Sequence, residues 1–350
     1  MQIVTVEAFG GTENLRVDQR PTPSPGPGQV RVKVTSIGLN HADLMARRGE
    51  YRLVSGDPPF TPGIEAGGLV DCLGEGVTSV SAGQRVILGP HAPRRAPGMT
   101  SDVGGGTYRS HYICAAEDVV PAPDAIADDQ LGAIWLPYLT AWGCLVWKQN
   151  LKPGQFVAIP AASSSVGLAA GQVARHCGAV PIGMTTSASK VEALKAMPEF
   201  DFAHLVVTRD QSGKQTSWHR DLKRITGGRG VDAFFDPVAA GEFLDMEIRA
   251  LAQFGTIWVY GLLGEPGKVD VTPLIRKHAA IRGWVLGEIV AAGNPPLSDA
   301  LAAILKGFET GVYRQRTAKS FPLSRVREAH EEMEKGNHIG KLVLVPDSHE

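Results

Sequence analysis

A run of small residues between a short apolar segment and a candidate helix is the part of this 350-residue sequence where chemistry is first expected. The segment Phe156–Ile159 predicts a buried strand, and the residues from Val166 to His176 predict a helix. The turn between them reads Pro160-Ala161-Ala162-Ser163-Ser164-Ser165-Val166-Gly167. Small residues at a turn that opens a helix allow backbone amides to bind a pyrophosphate, as in the pattern G-x-G-x-x-G. Ala162 and Ser164 replace two glycines of that pattern, so tight packing of a helix on a sheet explains the run equally well.

The residues after the next strand decide which dinucleotide such a turn would bind. The strand Val180–Met184 is followed by hydroxyl side chains and a lysine, namely Thr185, Thr186, Ser187 and Lys190. A carboxylate at this place binds the ribose 2′-hydroxyl of NAD, whereas a 2′-phosphate needs a cation and hydroxyl donors. This segment has no carboxylate, which favours NADPH over NADH. A helix N-cap followed by a solvated lysine is the alternative interpretation, and both can hold at once.

Composition narrows the class of protein and of partner. The 35 Lys and Arg against 36 Asp and Glu give a formal net charge of -1, so no basic field attracts nucleic acid or anionic lipid. The first ten residues lack the pattern of a signal peptide, and no segment is apolar for long enough to span a bilayer. The four cysteines are spread singly, as in a reducing compartment. The sequence therefore predicts a cytoplasmic protein with a small-molecule substrate and without a nucleic-acid or membrane partner.

The order of elements along the chain predicts two domains. The first third alternates short strands and turns, for example at Gly28–Ile37. From about Asp128, strands and helices alternate, which is typical of βαβ units and a parallel, doubly wound sheet. After a strand at Ile281–Val285 come a helix at Ser298–Thr310 and a last strand at Lys341–Val345, which are expected to return to the first domain. The predicted fold class is therefore α/β.

Several short motifs occur in a fixed order along the chain. They are Gly38-Leu39-Asn40-His41-Ala42-Asp43, Pro62-Gly63-Ile64-Glu65-Ala66-Gly67-Gly68, Gly83-Gln84-Arg85-Val86, Gly105-Gly106-Thr107-Tyr108, Leu139-Thr140-Ala141-Trp142, the small-residue turn described above, and Gly340-Lys341-Leu342-Val343. Together they resemble the medium-chain dehydrogenase/reductase superfamily, in its zinc-free, zeta-crystallin-like quinone oxidoreductase branch, over essentially the whole length. The resemblance implies a GroES-like, β-rich catalytic domain in two parts, 1–126 and 291–350, around a Rossmann dinucleotide-binding domain at 127–290.

The resemblance also implies which residues bind the cofactor. Thr140 and Asn40 would lie near the nicotinamide, and Lys190 would lie on the 2′-phosphate. Gly261 and the turn Gly340-Lys341 would help to close the cofactor site. With the turn and the residues after the second strand, the predicted cofactor-binding set is Thr140, Ser163, Ser164, Ser165, Val166, Gly167, Thr185, Thr186, Ser187, Lys190, Gly261, Gly340 and Lys341.

Zinc ligands are missing at the places where zinc-dependent relatives carry them. Those relatives have a Cys soon after the first strands and a His before the Glu of a G-H-E motif, whereas this chain has Asn40-His41 and Ile64 there. The loop 90–106 also lacks the cysteines of a structural zinc lobe. Since a catalytic zinc needs three protein ligands and a structural zinc usually needs four, no metal site is expected. Departures from the quinone oxidoreductase branch itself are Ser164 and Ser165 in place of glycines, and Met45 and Thr208 in place of tyrosines.

These implications together predict a reaction. NADPH would deliver hydride to a quinone or to the electron-poor C=C bond of an enone or enoyl thioester, with a proton from Tyr51 or from water held by Asn40 and His41. A half-buried tyrosine beside a loop is the alternative for Tyr51. A zinc-type alcohol dehydrogenase and a non-catalytic NADPH-binding protein are the alternative functions. The strand Ile281–Val285 resembles the edge by which relatives pair two Rossmann sheets, which predicts a homodimer.

Overall fold

Two compact units make up the chain in this computed structural model, which describes residues 1–94, 105–200 and 202–347. One unit comprises Met1–Leu136 together with Gln315–Glu350, and the central unit is Pro137–Arg314. The boundaries expected from the sequence, after residues 126 and 290, lie earlier in the chain than these. Most of the loop expected over 90–106 falls outside the described residues.

The N-terminal part of the first unit is built from short strands. They are β1 (Gln2–Val6), β2 (Leu15–Gln19), β3 (Gln29–Gly38), β4 (Ala66–Leu73), β5 (Arg85–Leu88), β6 (His111–Ala115) and β7 (Val119–Pro121), and the helices α1 (His41–Arg48) and α2 (Arg52–Ser55) lie between β3 and β4. The strand β3 alternates with a period of two, since Val32 and Val34 are buried and Lys33 between them is exposed. The strand therefore presents one face to the core of the unit.

The central unit alternates strands and helices. It is entered through α3 (Trp135–Trp142), which continues into a π-helical segment at Gly143–Lys148. The elements that follow are β8 (Phe156–Ile159), α4 (Ser165–His176), β9 (Val180–Thr185), α5 (Ala188–Lys195), β10 (His204–Val207), α6 (Trp218–Ile225), β11 (Val231–Asp236), α7 (Gly241–Ala250), β12 (Leu251–Val259), α8 (Thr272–Lys277), β13 (Ala280–Gly283), α9 (Gly287–Ala292) and α10 (Pro296–Glu309). The helix expected at Ser298–Thr310 is α10, and it belongs to the central unit instead of returning to the first.

The strands of the central unit form a parallel sheet in the order β10-β9-β8-β11-β12-β13. The strand order reverses between β8 and β11, and dinucleotides bind beyond the carboxyl ends of the strands at such a point. β11 is buried along its whole length, as is typical of a strand inside a parallel sheet. The predicted α/β class with a doubly wound sheet is confirmed.

The C-terminal segment returns to the first unit as β14 (Thr317–Pro322), α11 (Val326–Lys335) and β15 (Lys341–Val345). The strand order there is β14-β15-β3-β4-β5-β7, and β6 also pairs with β3. The strand β15 is antiparallel to β3, with Val343 opposite Gly38. This register carries Lys341 to the segment that follows β3, where Asn40 lies.

Each unit has an apolar core of its own. Tyr108 and Phe321 pack among the strand valines of the first unit, whereas Trp218, Phe234 and Ile257 lie in the core of the central unit. Burial of such side chains provides the main favourable contribution to folding. Over the described ranges, no helix has both the length and the apolar character needed to cross a membrane.

Candidate active site

The turn between β8 and α4 has the geometry of an anion-binding helix start. Ser164 is the N-cap of α4: its backbone is extended, and its Oγ accepts a hydrogen bond from the backbone N of Gly167 at 3.0 Å. Ala161 adopts a φ of 51°, which turns the chain sharply after the strand. Ser165 and Val166 then form the first turn of α4, where backbone amides have no intrahelical acceptor. The amide groups and the helix dipole there favour an anionic group.

Close packing explains why Gly167 is a glycine. A Cβ at this position would lie 2.5 Å from the carbonyl oxygen of Ala161 and 2.7 Å from the Cα of Ala162. Ala162 is itself fixed, because its backbone N donates to the carbonyl of Met184 in β9 at 3.0 Å. Ser163 is buried beside it. The two interpretations of this turn therefore coexist: the backbone packs tightly, and the helix start fits the pyrophosphate of a dinucleotide.

Hydroxyl groups and a lysine lie at the carboxyl end of β9. Ser187 is the N-cap of α5 and accepts a hydrogen bond from the backbone N of Lys190 at 3.3 Å. Thr185 donates through Oγ1 to the carbonyl of Ser187 at 2.9 Å, and Thr208 donates to the carbonyl of Thr185 at 3.0 Å. Thr186 is exposed, whereas Lys190 is half-buried and burial lowers its pKa. The capping interpretation therefore applies, and the same groups provide the chemistry that a 2′-phosphate needs.

The loops after β11 and β12 pack against each other. A Cβ at Gly261 would lie 3.0 Å from the carbonyl oxygen of Pro237. The carboxylate of Asp236 shapes the first loop, because its Oδ1 accepts a hydrogen bond from the backbone N of Val238 at 2.6 Å. Burial and the neighbouring Asp236 raise the pKa of Glu247 well above its ordinary value.

Thr140 also belongs to the central unit and lies in α3. It is 7% exposed, and its carbonyl accepts a hydrogen bond from the indole Nε1 of Trp284 at 3.0 Å. This contact was not predictable from a local pattern, because Trp284 follows β13 and lies far along the chain from Thr140. Trp284 is not among the residues that the sequence interpretation singled out.

A buried cluster in the first unit joins Lys341, Glu65 and Asn40. The Nζ of Lys341 lies 2.5 Å from Oε1 of Glu65 and 2.5 Å from Oδ1 of Asn40. The Nδ2 of Asn40 donates to Oε1 of Glu65 and to the carbonyl of Gly38, each at 3.1 Å. The other carboxylate oxygen of Glu65 accepts from the backbone N of Leu136 at 3.1 Å. Both amide hydrogens of Asn40 are thus engaged within the protein.

Two positions beside this cluster require glycine. A Cβ at Gly38 would lie 2.6 Å from Oε1 of Glu65 and 2.7 Å from Cε of Lys341. Gly340 has a φ of 100°, which favours glycine, and it leads into Lys341, whose backbone N donates to the carbonyl of Arg316 at 2.8 Å. The turn therefore delivers the ammonium of Lys341 into the interior of the first unit, and the role of Gly340-Lys341 in closing the cofactor site stays a prediction.

A second buried network contacts the backbone of Asn40. Oδ2 of Asp43 accepts hydrogen bonds from the backbone N of Asn40 at 2.9 Å and from the hydroxyl of Tyr108 at 3.2 Å. The hydroxyl of Tyr108 lies 3.2 Å from Nε2 of His330. Burial raises the pKa of Asp43 to about 7, and burial together with Arg47 lowers the pKa of His330 to about 3. His330 is therefore neutral at physiological pH, and this network fixes the start of α1.

His41 and Tyr51, the other predicted catalytic residues, lie near this cluster in sequence. His41 opens α1, and burial together with Arg48 lowers its pKa. Tyr51 is partly buried and directly precedes α2. In the described part of the chain, the hydrogen bonds of Asn40 and Lys341 include neither His41 nor Tyr51. Their catalytic roles remain predictions.

Across 1–94, 105–200 and 202–347, no three His, Cys, Asp or Glu side chains are grouped so that they could hold a metal ion. Ile64 stands beside Glu65, and the carboxylate of Glu65 is already paired with Lys341.

Comparison with known protein families gives two matches. Residues 26–124 match the family described as alcohol dehydrogenase GroES-like domain, and residues 165–303 match the family described as zinc-binding dehydrogenase. Among curated proteins, the chain is 29% identical to the quinone oxidoreductase of Lama guanicoe, over 99% of this chain and 97% of that protein.

Solved structures share the fold over the whole chain. An NAD-dependent alcohol dehydrogenase is 27% identical with a TM-score of 0.83, over 99% of this chain and 100% of that one. The Escherichia coli quinone oxidoreductase complexed with NADPH is 25% identical with a TM-score of 0.82, over 99% of this chain and 100% of that one. A 2-haloacrylate reductase is 27% identical with a TM-score of 0.76, over 99% of this chain and 100% of that one.

Proposed function

Because this chain belongs to the medium-chain dehydrogenase/reductase superfamily, we propose that it is an NADPH-dependent, zinc-independent reductase of the quinone oxidoreductase branch. Its acceptor is a quinone or an activated C=C bond, as in an enone or enoyl thioester. The observation that carries the proposal is the end of β9, where Thr185, Ser187 and Lys190 stand in place of a carboxylate. The quinone oxidoreductase solved with NADPH and the 2-haloacrylate reductase support the cofactor and the acceptor class.

The central unit would hold the cofactor along the carboxyl edge of its sheet. The amides of Ser165 and Val166 would meet the pyrophosphate, and Lys190 would meet the 2′-phosphate. Thr140 would lie near the nicotinamide, and Gly261 would help to close the cofactor site. When bound, NADPH supplies a hydride to the acceptor. The protein's contribution is to orient the cofactor and acceptor and to exclude water.

Zinc independence is proposed from the chemistry of the donor set. Asn40 and Ile64 occupy the places that resemblance assigns to a cysteine and a histidine ligand. The neighbouring carboxylate of Glu65 is engaged by the ammonium of Lys341, which repels a second cation. These residues do not fit a catalytic zinc ion.

Proton delivery is assigned to Tyr51 or to water. A phenol aimed at the developing enolate would stabilise the charge and supply the proton. Asn40 would instead act through its contacts with Lys341 and Glu65, since both of its amide hydrogens are engaged. Reduction of a quinone would need no acid at a fixed position.

Self-association is proposed through β13, the edge strand of the central sheet. An unpaired edge strand offers backbone donors and acceptors to a second copy, which would join two sheets across a two-fold axis. Small-angle scattering should give the mass of a dimer, and the mass of a monomer would refute the proposal. The cytoplasmic location stays a prediction.

Substitution of Lys190 tests the cofactor assignment. Lys190→Ala should weaken NADPH binding by about ten- to a hundredfold, since a charge-assisted contact is lost, and should leave NADH binding unchanged. Lys195→Ala is the matched control, because Lys195 lies on the same helix but is exposed and pairs with Glu192 at 2.9 Å. Equal binding of the two cofactors by the unaltered protein, or no effect of Lys190→Ala, would contradict the assignment.

A further inference from the structure

The helix that carries Thr140 changes its winding directly after that residue. α3 ends at Trp142 and continues as a π-helical segment over Gly143–Lys148. At the end of the segment, the backbone N of Gln149 donates to the carbonyl of Cys144 at 2.8 Å, five residues back. Such segments are rare, and they occur frequently at functional sites.

The side chain of Trp284 packs against the start of this segment. Its indole Nε1 donates to the carbonyl of Thr140 at 3.0 Å, and the side chain is buried. The ring fits the helix because Gly143 has no side chain: a Cβ there would lie 2.6 Å from Cζ2 and 2.7 Å from Cη2 of the indole. The ring also meets Trp147 edge-on, with centroids 6.2 Å apart. Gly143 and Trp284 therefore form a matched pair.

The position of Trp284 is fixed by the sheet. Its backbone N donates to the carbonyl of Val259 at 2.8 Å, which continues the pairing of β12 with β13. On the other side of the contact, Lys148 at the end of the π-helical segment pairs with Glu288 of α9 at 2.8 Å. Pairing with the sheet thus fixes the position of the indole, and the indole donates a hydrogen bond to the carbonyl of Thr140.

We infer that Trp284, seated against Gly143, is a positioning residue that sets the orientation of Thr140 against the nicotinamide ring. The inference rests on the proposed function, because the position of Thr140 near the nicotinamide is part of that proposal. We assign Trp284 no direct contact with the cofactor or the acceptor. It acts through the backbone of Thr140, so its loss alters hydride transfer more than cofactor affinity, which depends on phosphate contacts elsewhere in the unit.

The test compares two tryptophans of equal burial. Trp284→Phe keeps an aromatic ring and removes the indole donor. Trp258→Phe is the control, because Trp258 is also 4% exposed and its indole donates to Gln149 at 2.6 Å instead of to Thr140. We expect Trp284→Phe to slow hydride transfer by about tenfold, with a larger isotope effect from NADPH deuterated at C4 and an unchanged dissociation constant. Trp258→Phe should leave the rate within about twofold of the unaltered protein.

Substitution of Gly143 provides a second, independent test. Gly143→Ala should slow hydride transfer in the unaltered background, because the new Cβ displaces the indole. In the Trp284→Phe background the same change should have little further effect, since a phenyl ring lacks the atoms that the Cβ would meet. Equal effects of the two Trp→Phe changes, or additive effects of Gly143→Ala and Trp284→Phe, would overturn the inference.

A binding measurement separates failure of the inference from failure of the proposed function. The fluorescence of bound NADPH reports how firmly the protein immobilises the nicotinamide ring. This measurement does not require turnover. Trp284→Phe should lose the emission change on binding while Trp258→Phe retains it. If the unaltered protein does not bind NADPH at all, the proposed function fails and the inference falls with it. If NADPH binds and both variants behave alike, the inference alone is overturned.

Discussion

Replacing Lys341 with methionine removes the ammonium from a pair whose side chains are 1% and 3% exposed. The carboxylate of Glu65 would then stay buried without its counter-ion, which costs about 3–5 kcal/mol of folding free energy. Oδ1 of Asn40 would also lose its donor, at about 1 kcal/mol. We therefore expect Lys341→Met to lower the free energy of unfolding by about 5 kcal/mol.

Substitution of Glu65, alone and together with Lys341, measures the coupling energy between the two buried charges. Glu65→Gln should cost a similar amount, because it leaves the ammonium of Lys341 buried without a carboxylate. The double variant Glu65→Gln with Lys341→Met restores neutrality, so it should cost at least 2 kcal/mol less than the sum of the single changes, on the order expected for coupled charges. This coupling distinguishes a buried ion pair from two independent packing defects.

Urea unfolding followed by far-UV circular dichroism gives the free energies of unfolding. Because a protein with two units need not unfold in one step, hydrogen exchange of β15 shows whether the loss of stability lies in the first unit. Lys319→Met in β14 is the matched control: Lys319 is exposed, with its Nζ 4.6 Å from the ring centroid of Phe321, so its loss should cost under about 0.5 kcal/mol. A cost below about 1 kcal/mol for Lys341→Met, or an additive double variant, would refute the reasoning.

Three further predictions concern the proton donor, the pH dependence and the phosphate turn. Tyr51→Phe should lower turnover of an enone by at least about tenfold and leave NADPH binding and quinone reduction unchanged, and unaltered enone turnover would exclude Tyr51 as the acid. Burial raises the pKa of Asp43 to about 7 in the fold, so its contribution to stability is present below about pH 4 and is lost as the pH rises through 7, by up to about 4 kcal/mol. Urea unfolding of Asp43→Asn should therefore show a smaller decline between pH 4 and pH 8 than the unaltered protein shows. Gly167→Ala should weaken binding of NADPH and NADH alike and cost about 1–3 kcal/mol in urea unfolding, because its Cβ would meet the carbonyl oxygen of Ala161 at 2.5 Å.

The local parts of the fold were predictable from the sequence. The strand Phe156–Ile159 is observed with the expected bounds, and the helix after it begins one residue earlier than expected, at Ser165. Apolar periodicity and small turn residues are local signals, so they carry this information. The sequence also contains a signal that was not used: Asn40 and Asp43 form a capping box, which predicts the start of α1.

The contacts of the first-unit cluster were not predictable, because they join segments far apart in the chain. Lys341 reaches Glu65 only because β15 pairs with β3, and Glu65 is not among the site residues predicted from the sequence. Tyr108 and His330 lie 222 positions apart, and neither carries a local pattern that points to the other. Register between distant strands decides such contacts, and a single sequence does not encode that register in any short window.

The most direct test of the central claim is NADPH oxidation by protein freed of metal by chelation, with a quinone, an enone and an enoyl thioester as acceptors. Turnover of at least one acceptor is expected, at the same rate before and after chelation and faster with NADPH than with NADH. Loss of activity on chelation with recovery on addition of zinc, or turnover with NADH alone, would contradict the claim that this chain is a zinc-independent NADPH reductase.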